Sequence, residues 1–393
     1  MSTHTLSPKS SNESLQSSSS AASSPDKLAP AVEGAMVWEK LDASKYIMEF
    51  TSGEVQDVRA AVIKVKIAGT PRSQISQDTF DLANSELTHK LRSISTELHQ
   101  GHGIVVIRGL DAANFNDEEA VIAFAGICSY VCPERATDSY ANQTLTNPET
   151  GHVRDATKEK VPLWAKDIGL AGSKITAAMD FHSDRFSGDV LALHVRNDGG
   201  VGSGGEQFVT SFWSIYNELL ENDPEVLEIM AEPDWPFELK QKDKAPYLEY
   251  GPTLFFSKGK PMCQLVKAPL LGTPLIHRDP SMPVVSDKQL HAMHTVEALA
   301  KRFCTKLDRK QGDIQFINNL SIMHARAAYT GSNGKPSARH LLRMFLRDPE
   351  NAWDKPARFW KNFDDPFTPG REQNLPVIDN DPWRIISGRE SHG

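Results

Sequence analysis

Apolar positions recur along this chain with two different periods. In residues 86–99, Leu87, Leu91, Ile94 and Leu98 return at three- and four-residue intervals, which predicts an amphipathic helix. Gly103-Ile104-Val105-Val106-Ile107-Arg108-Gly109 follows, a β-branched run between glycines that predicts a buried strand. Residues 117–131 are again helical in spacing, with acidic residues in the first turn, where they complement the helix dipole. Beyond about residue 180 the pattern turns to short strand-like runs at 190–195, 208–212, 253–256, 262–266, 314–317 and 340–346. Residues 199–205 read as a Gly-rich turn, Ser257-Lys258-Gly259-Lys260 as a hairpin connection, and 214–220 and 286–307 as helices. Helices outside and many short strands inside predict an α+β fold. A double-stranded β-helix, or jelly roll, fits this order and has an interior able to hold a ligand.

Residues 1–34 are Ser-rich with few large apolar groups, a composition that predicts disorder; order is expected to begin near Val37-Trp38. The stretch after Trp360 is Pro-rich and irregular. Because the strands come from both ends of the second half, a single catalytic domain is expected over 35–365, with an irregular tail over 366–393. A content of 39% hydrophobic and 24% charged residues allows a sizeable core. A net charge of -8 argues against nucleic acid or an anionic membrane as partner, leaving a small-molecule substrate. A homo-oligomer is left open. No run reaches the ~20 apolar residues of a membrane span, and no secretory apolar core follows Met1. Cys128, Cys132, Cys263 and Cys304 form no CxxC or zinc-finger spacing. A reduced, cytoplasmic protein is expected.

Candidate chemistry centres on His182-Ser183-Asp184 and His324. Two imidazoles and a carboxylate are the ligand set of the facial triad, which holds iron(II) on one face. With 13 histidines and 51 acids in 393 residues, chance alone predicts roughly two H-x-D/E matches. A second copy does occur, His277-Arg278-Asp279, among prolines that place it in a loop. The first copy precedes a strand, and in extended chain positions i and i+2 face the same way. That local pattern equally suits a surface loop with a capping Asp. What favours a site is downstream. On a strand, Arg339, Leu341, Arg343, Phe345 and Arg347 share one face, and a buried guanidinium requires an anionic partner. Protein carboxylates would serve, as for Arg347 beside Asp348; a dicarboxylate ligand would account for Arg339 and Arg343.

At this point the chain resembles the iron(II)/2-oxoglutarate-dependent dioxygenases of the taurine dioxygenase (TauD/TfdA-like) family. The matching residues are His182-x-Asp184, Gly204-Gly205-Glu206, Gly312-Asp313 with Asn319, His324 and Arg339-x-x-x-Arg343, with the glycine-flanked run 103–110 as the early strand. The resemblance spans about residues 103–346, and the Ser-rich start and long tail look like fungal members. It implies a jelly-roll core, Fe(2+) held at His182, Asp184 and His324, and O2 and 2-oxoglutarate as co-substrates. It implies Arg339 for the distal carboxylate of 2-oxoglutarate and Arg343 near co-substrate and substrate. The family's Thr after the Gly-Gly-acid turn is Gln207 here, an amide able to donate in its place. Taurine dioxygenases carry Asn four residues before the first metal His; Ala178 here argues against taurine itself. The presence of Asp184 argues against halogenation. The implied activity is oxidation of a substrate C–H bond with release of succinate and CO2, in secondary metabolism or in sulfonate or carboxylate catabolism. A non-catalytic carboxylate-binding jelly roll and a zinc hydrolase are the readings from other classes; the hydrolase leaves Arg339 and Arg343 unexplained.

Overall fold

The computed structural model describes residues 27–379 apart from 138–150, 162, 164–169, 171, 242–243, 274–276, 332–334 and 372. The strands are Ile47–Glu49 (β1), Ile104–Arg108 (β2), Glu134–Arg135 (β3), Gly151–Arg154 (β4), Met179–His182 (β5), Val190–Asn197 (β6), Gln207–Ser211 (β7), Trp235–Gln241 (β8) and Lys244–Gly251 (β9). They continue with Leu254–Ser257 (β10), Lys260–Cys263 (β11), Thr305–Lys306 (β12), Ile314–Asn318 (β13), Ile322–Arg326 (β14) and His340–Arg347 (β15). The helices are Ser52–Ala68 (α1), Ser85–Gln100 (α2), Asp117–Val131 (α3), Phe212–Asn222 (α4), Pro224–Ala231 (α5), Ala268–Leu271 (α6), Asp287–Phe303 (α7) and Trp360–Asp364 (α8). Reciprocal capping boxes start three of them: Thr51 with Glu54, Asn116 with Glu119, and Ser286 with Gln289.

Seven strands form the larger sheet in the order β1-β2-β13-β6-β15-β3, with β4 also on β15; four form a second sheet, β12-β7-β14-β5. Strand alternation divides the larger sheet cleanly. Val105, Ile107, Ala192, Ile314, Phe316, Leu342 and Met344 pack outward under α1, α2 and α3. Ile104, Val106, Leu191, Leu193, Ile317, Leu341 and Phe345 point inward and meet Val209 and Ile322 of the smaller sheet. That sheet's outer residues, Phe181, Met323 and Ala325, lie under α4, α5 and α7. The result is α+β, with helices on both outsides and two sheets enclosing an interior.

Several boundaries differ from the sequence expectation. Order is present before Val37: Val32 N–H donates to Asn217 Oδ1 at 2.8 Å, and Asn217 Nδ2 donates back to Val32 O at 2.8 Å. The helix expected over 286–307 stops at Phe303, because Thr305 and Lys306 instead extend the edge of β7. Residues 235–241 and 244–251, to which the sequence pattern assigns no element, pair antiparallel as β8 and β9. The β10–β11 hairpin is as expected: Ser257 pairs Lys260, and Lys258 and Gly259 both take positive φ, as a two-residue turn of matching twist requires. Past Trp360 the chain makes α8 and one 3-10 turn, then runs back over the protein, where Asp379 meets Arg154 and Lys174. Residues 1–26 and 380–393 lie outside the described residues.

Candidate functional site

The interior carries the chemistry. β5 ends at His182, and β14 places His324 directly opposite, with a register irregularity immediately after it. Paired residues across an antiparallel ladder point to one face, so the two rings meet with centroids 4.2 Å apart. Asp184 follows on the loop leaving β5, its Oδ2 3.4 Å from His324 Nε2 and its Oδ1 3.8 Å from His182 Nε2. One ligand atom from each residue lies within 4.8 Å of the others, and this is the metal-capable group found among the described residues. The donor set fits a divalent iron. His182 Nδ1 sits 2.7 Å from the Asp180 carbonyl, which can only accept, so the neutral ring carries its proton there and turns the Nε2 lone pair toward the cluster.

The Asp184 loop is fixed from several sides. Asp184 N–H donates to Asn319 Oδ1 at 2.9 Å, and Asn319 Nδ2 donates to the carbonyls of Asp184 at 2.7 Å and Gly188 at 2.9 Å. Phe186 holds a left-handed φ of 52°, unusual for a bulky residue, kept by its N–H bond to Gln264 Oε1 and by edge-on packing against Phe255 and Phe363. Between them, the buried Arg185 guanidinium lies 4.2 Å from the Phe186 ring centroid and 3.8 Å from that of Phe237, and donates to Pro252 O. Burial pushes its pKa down to about 9. The Phe181 N–H donates to Glu297 Oε2, and Lys267 bridges Glu297 and Asp180, so α7 braces the strand that carries His182.

The second H-x-D copy is elsewhere: Arg278 donates to the carbonyls of Pro236 and Pro283, and Asp279 caps Ser281. His194 and His340 lie on the outer face of the larger sheet. Burial drives their pKa values down to about 3 and about 4, with the His152 ring adding to the effect on His340.

On the larger sheet, β15 turns Arg343 inward in one row with Leu193 and Gln315. Arg339 precedes β15, 1% exposed, and its Nε and Nη1 meet no hydrogen-bond acceptor among the described residues. Burial, with Arg309 and Arg326 nearby, pulls its pKa down to about 9, so it remains a cation at neutral pH. The glycine turn explains how it fits: a Cβ on Gly205 would stand 2.8 Å from Arg339 Nε, and one on Gly204 2.4 Å from Ala328 O. Arg347 does have carboxylate partners, but they are Asp189 and Asp364. Asp348, its sequence neighbour, turns away to Arg92 and Ser95. Gln207 is buried beside this group, its Oε1 accepting from Gln315 at 3.1 Å and Arg309 at 3.5 Å. Asp313 anchors the early strand through Arg108 Nε at 3.1 Å and Nη2 at 2.9 Å.

Sequence reasoning passed over Arg309, Gln315, Arg326 and Tyr329. For Arg326 the signal was present, since two positions after His324 on a strand it shares that residue's face. The others depend on cross-sheet packing.

The profile of the TauD, TfdA family, described as taurine catabolism dioxygenase TauD, matches residues 67–345. The taurine hydroxylase-like protein SAT17 of Stachybotrys chartarum is 30% identical over 367 residues, 92% of each chain. FR-33289 synthase of Streptomyces rubellomurinus is 21% identical, over 80% of this chain and 90% of its own length. Among solved structures, an asparagine oxygenase in complex with Fe(II), 3-hydroxyasparagine and succinate superposes with a TM-score of 0.55 at 13% identity, over 79% of this chain and 99% of its own. The non-heme iron oxygenase OrfP in complex with Fe and alpha-ketoglutaric acid gives 0.52 at 15% identity, over 77% and 93%.

Proposed function

The chain belongs to the TauD, TfdA family and is a 2-oxoglutarate-dependent dioxygenase, and on that premise we propose that it oxidises a C–H bond of a small-molecule substrate, by hydroxylation in the simplest case, releasing succinate and carbon dioxide. The observation that carries this reading is the buried His182–Asp184–His324 cluster, with its ligand atoms within 4.8 Å of one another. We assign the two sheets to the two layers of a double-stranded β-helix in one domain over 35–365. Bound iron(II) supplies the activation of dioxygen against 2-oxoglutarate and substrate.

The protein's own groups bind, orient and exclude water. His182 and His324 offer Nε2 and Asp184 a carboxylate oxygen to the metal, and Asn319 holds the Asp184 backbone in place. Arg339, buried with Nε and Nη1 unpaired, takes the distal carboxylate of 2-oxoglutarate. Arg343 lies beside co-substrate and substrate. Gln207 has its Oε1 engaged and offers its amide N–H to the same carboxylate. Leu193, Leu341, Val209 and Ile322 keep the enclosed space dry.

The relative named as a synthase favours a biosynthetic role over a catabolic one. We place the enzyme in the cytoplasm, with no nucleic-acid or membrane partner. Its four cysteines are free, and no helix among the described residues is long and apolar enough to cross a membrane.

The test is spectroscopic and chemical. Anaerobic iron(II) with 2-oxoglutarate is expected to give a weak visible absorption band in the wild type and none in His182→Ala. A band that persists in His182→Ala refutes the ligand assignment. Binding of 2-oxoglutarate without succinate formation, across a panel of candidate substrates, would establish a carboxylate sensor instead.

A further inference from the structure

The buried surroundings of Arg339 hold more positive charge than one carboxylate-binding arginine explains. Arg326 is 6% exposed. Its register partner on β7 is Gln207, while His324 pairs Val209, so Arg326 faces the interior on the same side as the metal ligand. Its Nη2 donates to the carbonyls of Ile175 and Ala177, but Nε and Nη1 have no acceptor among the described residues. The Arg326 guanidinium lies 4.8 Å from the Tyr329 ring centroid, and Arg339 lies 5.2 Å from the same ring. One aromatic face system therefore carries both cations, and the Tyr329 hydroxyl is itself buried without a partner among the described residues. Arg309 stands close by, bonded to the carbonyls of Gly205 and Asp198 and to Gln207. No protein carboxylate hydrogen-bonds any of these three arginines among the described residues. Crowded, desolvated, like charges are stable together only when an anion enters between them.

We propose that Arg326 is a second guanidinium for the distal carboxylate of the 2-oxo acid co-substrate, acting beside Arg339 and Gln207. The assignment rests on the function proposed above and adds to it a residue that selects diacid over monoacid. Position favours this end of the co-substrate: Arg326 lies two positions beyond His324, about 6.6 Å along β14. A five-carbon 2-oxo diacid held by its oxo end at the metal ligands directs its other carboxylate over that distance. The competing role for Arg326 is a tether for the segment 175–177, which accounts for Nη2 alone.

The two roles separate by ligand. Affinities are measured by anaerobic calorimetry on the iron(II) holoenzyme, for 2-oxoglutarate and for 2-oxobutyrate, which lacks the distal carboxylate. Arg326→Leu is expected to weaken 2-oxoglutarate roughly tenfold to hundredfold, the size of a lost charge-assisted hydrogen bond, and to leave 2-oxobutyrate within about twofold. Arg326→Gln keeps a donor for the two carbonyls and removes the charge, so it preserves folding while showing the same ligand-dependent loss. Equal losses for both acids in Arg326→Gln make the residue a tether and overturn the proposal, as do unchanged affinities for both. A wild-type holoenzyme that binds 2-oxobutyrate but gains nothing from the distal carboxylate also overturns it. Failure of the wild type to bind either acid refutes the enzymatic function itself, and this inference with it.

Discussion

Asn319 offers the sharpest single test of how the iron site is held. Its side chain is fully buried and makes three hydrogen bonds to one loop, to Asp184 N–H, Asp184 O and Gly188 O, all between 2.7 and 2.9 Å. Asn319→Ala removes all three at a net of about 1 kcal/mol each, which sets a floor of about 3 kcal/mol. It also strands a buried N–H and two carbonyls, and this desolvation raises the expected loss to about 5 kcal/mol, a large share of the stability of an ordinary protein. Asn319→Asp keeps the acceptor for Asp184 N–H but turns a negative charge toward two carbonyl oxygens, so it is expected to be no milder. Chemical denaturation of metal-free protein measures the stability term. Iron(II) titration measures a second term: a ligand whose supporting bonds are lost is expected to cost roughly tenfold to hundredfold in metal affinity. An Asn319→Ala variant within about 1 kcal/mol of wild type and with unchanged iron affinity would refute the bracing argument.

Three further outcomes are expected. Gly205→Ala puts a Cβ 2.8 Å from Arg339 Nε at a backbone φ of 75°, and should raise KM for 2-oxoglutarate about tenfold with a smaller effect on kcat; an unchanged KM counts against Arg339 as the carboxylate partner. Asp313→Asn leaves the buried Arg108 without its fully buried carboxylate and should destabilise by roughly 3 kcal/mol or more, read as a fall in Tm that Arg108→Met in the same background partly restores. His194 is held near pKa 3 against 6.5 in the unfolded chain, so the unfolded state binds more protons between those values. Stability from His194 is therefore complete above about pH 6.5 and declines as pH falls toward 3, and His194→Leu should flatten the pH dependence of the unfolding midpoint across that window.

The site was legible in sequence where short-range geometry sets it. His182 and Asp184 are two apart, so extended backbone brings them together without knowledge of the rest of the fold. The alternation from Arg339 to Arg347 announced an inward row of cations, and β15 has that alternation. What could not be read was the identity of their partners. Arg347 finds Asp189 and Asp364 rather than adjacent Asp348, since ion pairing is decided by which strands meet. The contact of Val32 with Asn217 spans 185 positions and leaves no local trace. The β8–β9 hairpin was half legible: Trp235, Phe237 and Leu239 alternate and are buried, but Pro236 interrupts the run and β9 has no alternation to answer it. Helix α1 repeats Val55, Val58, Val62 and Val65 at helical spacing, all buried, so its spacing marks the helix as that of α2 does.

Arg185 joins the metal loop to the β8–β9 hairpin. Its guanidinium, clasped by Phe186 beside the metal loop and by Phe237 on β8, and closely approached by Gly251 on β9, welds the root of that hairpin to the iron site. A lineage changing its substrate through this hairpin therefore has little freedom at 237 and 251, where any change is transmitted to Asp184. It has far more at the outer positions of the two strands. The seat of the hairpin is thereby part of the support of the metal site itself.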